Sequence, residues 1–384
     1  MTESSHNLTG VKTILSVRAQ RQHLFVLDKM TLTLILILFG TRSISTTPPT
    51  VRCSVPPPLT TVYNNFITKS PLVSLLSFLF VLTRSGRMDI LMICNLCPRH
   101  CGVERPHGYC GMGERALVVR TALHHWEEPC ISGERGSGTV FFAGCPLGCV
   151  YCQNRVVSCH GAASGRYREV DAQGLRELCT ALIRRGAHNI NFVTPTHYAH
   201  VVSDAVGSGF SVPVVYNTGG YESMDALRSL CGKVQVYLPD MKYALSEPAQ
   251  RYSAAPDYPE VAAAAIREMV RQTGPYRLDE DGILQSGVLI RHLVLPGQAE
   301  NTRRVIEWAN DNFRRGEVLF SLMGQYTPIP GIEQSYPELA APLSPEEYAQ
   351  ACAWVEEADR IEGYCQELSS ADACYIPEWG VFGG

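Results

Sequence analysis

The strongest constraint on this chain's fold is a repeated alternation of short apolar runs with helix-like stretches. The strand-like runs lie at 139–143, 189–194, 212–217, 234–238, 288–295 and 318–323. Each is apolar and β-rich along its whole length, the pattern of strands buried on both faces. Helical patterns lie between them at 171–185, 198–206, 223–230, 258–272 and 302–313. A last one, 344–358, opens with Ser344-Pro-Glu-Glu, a good N-cap arrangement. Six such units in series predict an α/β fold with a parallel sheet, open or closed toward a barrel. The expected strand ends are polar: Thr194-Pro-Thr-His197, Asn217-Thr-Gly-Gly220, Asp240-Met-Lys242 and Gln325-Tyr326. In barrels, that end carries the active site. No internal repeat is evident.

The loop leaving the first of these strands reads Gly144-Cys145-Pro-Leu-Gly-Cys149-Val-Tyr-Cys152. Three thiolates at Cys-x3-Cys-x2-Cys spacing can hold three irons of a [4Fe–4S] cube. The fourth iron is then open to a substrate or cofactor, unlike the four-cysteine closure usual in electron-transfer clusters. A zinc site would want a tetrahedral four, and no fourth cysteine follows at knuckle spacing.

A second group, Cys94, Cys97, Cys101 and Cys110, has the spacing Cys-x2-Cys-x3-Cys-x8-Cys, with glycines and a proline interspersed. Four soft ligands in so short a span can wrap one metal centre, zinc or an auxiliary iron–sulfur cluster. Buried or redox-pairing thiols without metal fit the spacing too. His100, His107, His124 and His125 are candidate replacement ligands, but each is read first as a structural or surface residue. Cys53, Cys130, Cys159, Cys179, Cys231, Cys352, Cys365 and Cys374 are read as packing residues.

The 384-residue chain has a formal charge of −4 and 15 cysteines. It has no basic excess, so no nucleic-acid partner is expected. Clustered cysteines in a long strand–helix chain argue against a secreted disulfide framework and for a reducing cytoplasm. Residues 1–88 differ from the rest, with nine Lys/Arg against two Asp/Glu. Their apolar stretches, 32–39 and 71–82, are shorter than the roughly 20 residues that span a bilayer, so no membrane association is expected. The segment reads as a disordered extension, either a transit-type leader or upstream sequence from a mis-assigned start. The expected organisation is therefore 1–88 extension, 89–130 Cys-rich metal-binding segment, 131–340 barrel and 341–384 C-terminal helix and tail.

The triad, with Tyr151 before its last cysteine, resembles the signature of the radical S-adenosylmethionine (radical SAM) superfamily. Further phrases resemble the branch of pyruvate formate-lyase-activating enzyme. They are His124-His-Trp-Glu-Glu-Pro129, Asn191-Phe-Val-Thr-Pro-Thr-His197, Val215-Tyr-Asn-Thr-Gly-Gly-Tyr221, Tyr237-Leu-Pro-Asp-Met-Lys-Tyr243 and Arg291-His-Leu-Val-Leu-Pro-Gly297. The resemblance covers about residues 94–384 and implies a partial (β/α)6 barrel. It implies a [4Fe–4S] cluster on Cys145, Cys149 and Cys152, SAM as co-substrate, and an external electron donor of flavodoxin or ferredoxin type. It places Tyr151 by the adenine and a Thr194 or Thr196 oxygen at the SAM amine, where many members carry Gly-Gly-Glu. It places Asn217 near the SAM ribose or carboxylate, Lys242 with Asp240 at the carboxylate, and Arg291 and Leu293 near sugar and adenine.

On this reading the chain makes a 5′-deoxyadenosyl radical that takes hydrogen from a substrate. The branch points to a protein glycine of a glycyl-radical enzyme. Another peptide or a small molecule is the nearest alternative. A non-catalytic iron–sulfur or zinc protein, sensing redox state or serving interactions, is the rival from another class.

Overall fold

The computed structural model describes residues 78–82, 88–158 and 167–368. Most of the expected N-terminal extension, with Cys53, Cys159 and Cys374, lies outside the described residues. Within the extension, Phe78–Leu82 is a strand, and it pairs with Met88–Met92. Among the described residues, no helix is long and apolar enough to cross a membrane.

The remaining strands form one ten-stranded sheet. They are β1 (Ala116–His124), β2 (Ser137–Phe142), β3 (Arg168–Val170), β4 (Ile190–Val193), β5 (Val214–Thr218), β6 (Val236–Pro239), β7 (Arg277–Leu278), β8 (Leu284–Leu293), β9 (Val318–Met323) and β10 (Glu362–Cys365). Six of them, β2-β4-β5-β6-β8-β9, stand side by side in chain order and run parallel. β1 and β3 extend this set antiparallel at one edge, and β10 extends it parallel at the other.

Helices α1 (Ala172–Arg184), α2 (Ala199–Val206), α3 (Met224–Leu230), α4 (Ser246–Ser253), α5 (Tyr258–Thr273) and α6 (Ala299–Asn312) make the crossovers. Helix α7 (Pro345–Glu357) follows β9, and its Ser344 and Glu347 form a reciprocal capping box. Asp171 and Ser223 likewise cap α1 and α3. Helix α4 and strands β1, β3, β7 and β10 have no counterpart among the sequence expectations.

Every residue of β2, β4, β5, β6 and β9 is buried, as parallel strands covered on both faces require. The two-residue period sorts them into two cores. Val214, Tyr216, Tyr237, Val288, Ile290, Val318 and Phe320 pack in the cluster that contains the helices' buried residues. Val215, Val236, Leu238, Leu289 and Leu319 pack with Cys130 and Ile131 from the one-turn helix Pro129–Ser132. That short helix therefore plugs the concave side of the curled sheet. The same face continues toward the C-terminal strand ends through Asn217, Asp240, Arg291 and Ser321, two residues beyond Val215, Leu238, Leu289 and Leu319. Apolar below and polar above, the concave face is set by strand register.

Two expectations for cysteines need correction. Cys130 and Cys179 are buried as expected, but Cys231 and Cys365 are exposed. Cys231 lies just past the end of α3, and Cys365 lies on the outer strand β10. At both places the apolar pattern of the neighbours does not extend to the cysteine.

Candidate active site

The loop after β2 begins at Gly144, whose φ of +79° suits glycine. A Cβ there would lie 2.5 Å from Met112. Beyond it, Cys145, Cys149 and Cys152 all line one cavity of about 260 Å³, with Tyr151, Thr194, Asn217, Asp240, Lys242, Arg291 and Leu293. Residues from β2 through β9 contribute, so the six strands wrap around it. Gln153 closes the ring by donating from Nε2 to the Gln325 carbonyl at 3.0 Å, joining the cysteine loop to the end of β9.

Each sulfur has a hydrogen-bond partner. The Leu147 N–H donates to Cys145 Sγ at 3.4 Å, and the Ser253 hydroxyl donates to Cys149 Sγ at 3.0 Å. Cys152 Sγ stands 3.3 Å from the Ser158 hydroxyl. Burial, then repulsion from Cys149 and Cys152, pushes the Cys145 thiol up to about 12. Burial and Cys149 raise Cys152 as well. A bound metal supplies the positive charge that lets Cys145 and Cys152 ionise in this setting. Among the described residues, no three His, Cys, Asp or Glu side chains stand close enough to hold a single metal ion. A four-iron cube is larger than one ion, so its ligands stand farther apart. The triad's soft donors, shared cavity and hydrogen-bonded sulfurs fit such a cluster.

Beneath the thiols runs a chain of charged and amide groups. Lys242 Nζ donates to Asp240 Oδ2 at 2.5 Å, and Arg291 Nε donates to Asp240 Oδ1 at 3.0 Å. Arg291 NH2 donates to Asn217 Oδ1 at 2.7 Å, and Asn217 Nδ2 donates to Glu127 Oε2 at 2.8 Å. Glu127 also lies 3.5 Å from Arg291 NH1. Side-chain exposures of 12–18% place these charges out of bulk water, so Asp240 and Lys242 are not a solvated surface pair. Burial opposes ionisation of Asp240, but Lys242 and Arg291 together outweigh it and hold its pKa below the usual value. Burial works against the Lys242 charge too, yet Asp240 raises its pKa above the ordinary lysine value.

Thr194 and Thr196 part company. Thr194 lines the cavity with φ +57°, a left-handed conformation that is strained for a β-branched residue. Thr196 turns away and donates to Glu222 Oε1 at 2.5 Å. Thr218 and Tyr216 also donate to this carboxylate. Burial raises the Glu222 pKa to about 7 despite these donors. His197 bonds through Nε2 to the Ala143 carbonyl at 2.7 Å, and burial lowers its pKa to about 3. It is a neutral brace at the end of β2. Tyr151 is buried, and the Tyr243 hydroxyl links it to Ser253.

Sequence reasoning assigned no role to Glu127. It and Glu128 precede the plug helix, and Glu128 accepts from the Ser321 hydroxyl at 2.9 Å. Burial raises the Glu128 pKa to about 7, although Arg291 and Ser321 oppose the rise. The signal in the sequence was a pair of carboxylates directly before a proline, ahead of an apolar strand.

The second cysteine group lies elsewhere. Cys97 is pushed up to about 12, first by burial and further by Cys94, Cys101 and Cys110. The four thiols are therefore neighbours, but they do not form a ready-made single-ion site. His100 and His107 are exposed, and His124 lines the barrel cavity.

No family model matches the chain. It is 26% identical to an uncharacterised protein of Methanocaldococcus jannaschii, MJ0674, over 277 residues, which are 70% of this chain and 76% of that one. Among solved structures, it is similar to Streptococcus suis SuiB bound to precursor peptide SuiA. That match has a TM-score of 0.41 and 9% identity, over 59% of this chain and 48% of the other. It is also similar to a domain of pyruvate-formate lyase-activating enzyme from Bacteroides vulgatus. There the TM-score is 0.31 and the identity 14%, over 45% of this chain and 91% of that domain. The chain spans about half the length of SuiB. Likenesses this low carry no chemistry, which rests on the residues of the site.

Proposed function

We propose that this chain is a radical SAM enzyme. The observation that carries the reading is the convergence of the Cys-x3-Cys-x2-Cys thiols with Asn217, Asp240, Lys242 and Arg291 around one cavity at the C-terminal ends of parallel strands. Cys145, Cys149 and Cys152 would hold a [4Fe–4S] cluster with one iron open. When bound, that group supplies the electron that splits SAM into methionine and a 5′-deoxyadenosyl radical, and the radical takes hydrogen from the substrate.

The chain's own residues bind, orient and exclude water. Lys242 has three N–H donors and uses one on Asp240, so two remain for a carboxylate. Thr194 and Asn217 present oxygen and amide groups to the amino-acid end of SAM, and Tyr151 and Leu293 give apolar wall to the adenosine. The electron comes from an external donor of flavodoxin or ferredoxin type. On the activase resemblance, we take the hydrogen donor to be a glycyl residue of a partner enzyme.

Anaerobic reconstitution with iron and sulfide, then SAM and dithionite, should release 5′-deoxyadenosine. Cys145→Ala, Cys149→Ala and Cys152→Ala should each abolish it. A variant that cleaves SAM at the parent rate would refute the ligand assignment. A glycyl-radical signal in a co-incubated glycyl-radical enzyme tests the substrate; hydrogen drawn from a small molecule instead would redirect it.

A further inference from the structure

The second cysteine group touches the first through one side chain. Arg99 lies between Cys97 and Cys101, and its guanidinium donates to four carbonyls. Nε reaches Pro146 O at 2.7 Å, and NH2 reaches Leu147 O at 3.0 Å and Ser253 O at 2.8 Å. NH1 reaches Ala254 O at 2.5 Å. The fork lies over the Tyr109 ring, 4.1 Å from its centroid. Pro146 and Leu147 are in the loop between Cys145 and Cys149, and Ser253 is the hydroxyl donor to Cys149.

Peptide planarity converts these contacts into an orientation. In a trans peptide, the carbonyl and the following N–H point opposite ways. Holding the Pro146 carbonyl on Arg99 therefore turns the Leu147 N–H to the other side, where it donates to Cys145 Sγ. Hydrogen bonds to cluster sulfurs stabilise the more negative, reduced state and so raise the reduction potential.

We propose that Arg99 is a positioning residue. It aims the Leu147 N–H at Cys145 and anchors the backbone of Ser253, whose hydroxyl donates to Cys149, and thereby sets the potential of the cluster these sulfurs hold. The last step rests on the cluster reading of the triad; the aiming of the loop does not. Lysine could not replace the fork, because three donors on one nitrogen cannot span four carbonyls.

The test uses Arg99→Met and Arg99→Lys in the full chain, with two readouts. Amide hydrogen exchange on metal-free protein should show Leu147 exchanging at least about tenfold faster in Arg99→Met. A redox titration of reconstituted protein, followed by electron paramagnetic resonance, should show a lower midpoint in Arg99→Met. A tenfold shift of the one-electron equilibrium is about 59 mV. Arg99→Lys should fall between parent and Met in both, and it carries the test if Arg99→Met does not fold. Unchanged exchange, or an unchanged midpoint in a loaded variant, overturns the proposal. A parent protein that takes up no iron overturns the cluster reading, and the exchange result then decides the positioning role by itself.

Discussion

Asp240 should matter more to the fold than Lys242, although Lys242 is the residue expected to meet SAM. Asp240 accepts from both Lys242 Nζ at 2.5 Å and Arg291 Nε at 3.0 Å, with each side chain less than one-fifth exposed. At an effective dielectric near 20, a charge pair about 3 Å apart attracts by roughly 5 kcal/mol before desolvation is counted. Removing one partner of a buried pair costs about 3–5 kcal/mol, because the remaining charge is stranded. Asp240→Asn strands Lys242 and leaves Arg291 only the longer ion pair with Glu127, but it keeps one acceptor oxygen, so about 3 kcal/mol is expected. Lys242→Met leaves Asp240 still paired with Arg291 and should cost about 1–2 kcal/mol.

The assay is urea unfolding of cluster-free protein at pH 7. Asp240 titrates below its usual value in the fold, so its contribution is present above the unfolded pKa and fades as pH falls through the lower, folded value. The gap between parent and Asp240→Asn should therefore be full at pH 7 and shrink below about pH 4. An Asp240→Asn variant within about 1 kcal/mol of the parent, or more stable than Lys242→Met, would refute the reasoning.

Two further outcomes are expected. Lys242→Met should weaken SAM binding about ten- to a hundredfold in anaerobic titration, since a charged hydrogen bond contributes roughly 1.5–3 kcal/mol; unchanged affinity would remove Lys242 from the cofactor. Metal analysis of anaerobically prepared Cys145/Cys149/Cys152 triple-alanine protein should find about one zinc or iron–sulfur centre on Cys94, Cys97, Cys101 and Cys110; finding neither would make them plain structural thiols.

The six barrel strands were legible because burial on both faces writes an unbroken apolar run, and 318–323 was placed to the residue. The outer strands were not. In β1 most residues are only partly buried, so its sequence lacks a clean period of either kind. Helix α4 was missed because Ser246–Ser253 is short and polar, with Pro248 inside it. In the site, the triad was legible through local spacing, and Asn217, Asp240 and Arg291 through their places at strand ends. Glu127 was not, because its contacts to Asn217 and Arg291 span 90 and 164 residues. Register alone brings such partners together. Arg99 was hidden for a similar reason: its role lies in four backbone carbonyls, which leave no mark in side-chain pattern.

The charges lining the cavity form two opposed pairs, Glu127 and Asp240 against Arg291 and Lys242. Before any thiol ionises, this wall is close to neutral, so it offers no net field to draw in a simple anion or cation. It offers instead an alternation of sign over a few ångströms, fixed by strand register and shielded from bulk water. A zwitterion matches such a wall better than either ion alone, because each of its charges finds an opposite one without stranding a buried partner. The amino-acid end of SAM is a zwitterion. The same near-neutrality gives the half-buried Cys145 and Cys152 thiols little positive charge for their ionisation, which the proposed metal centre would supply. The charge pattern thus supports the occupants proposed from the cysteine spacing.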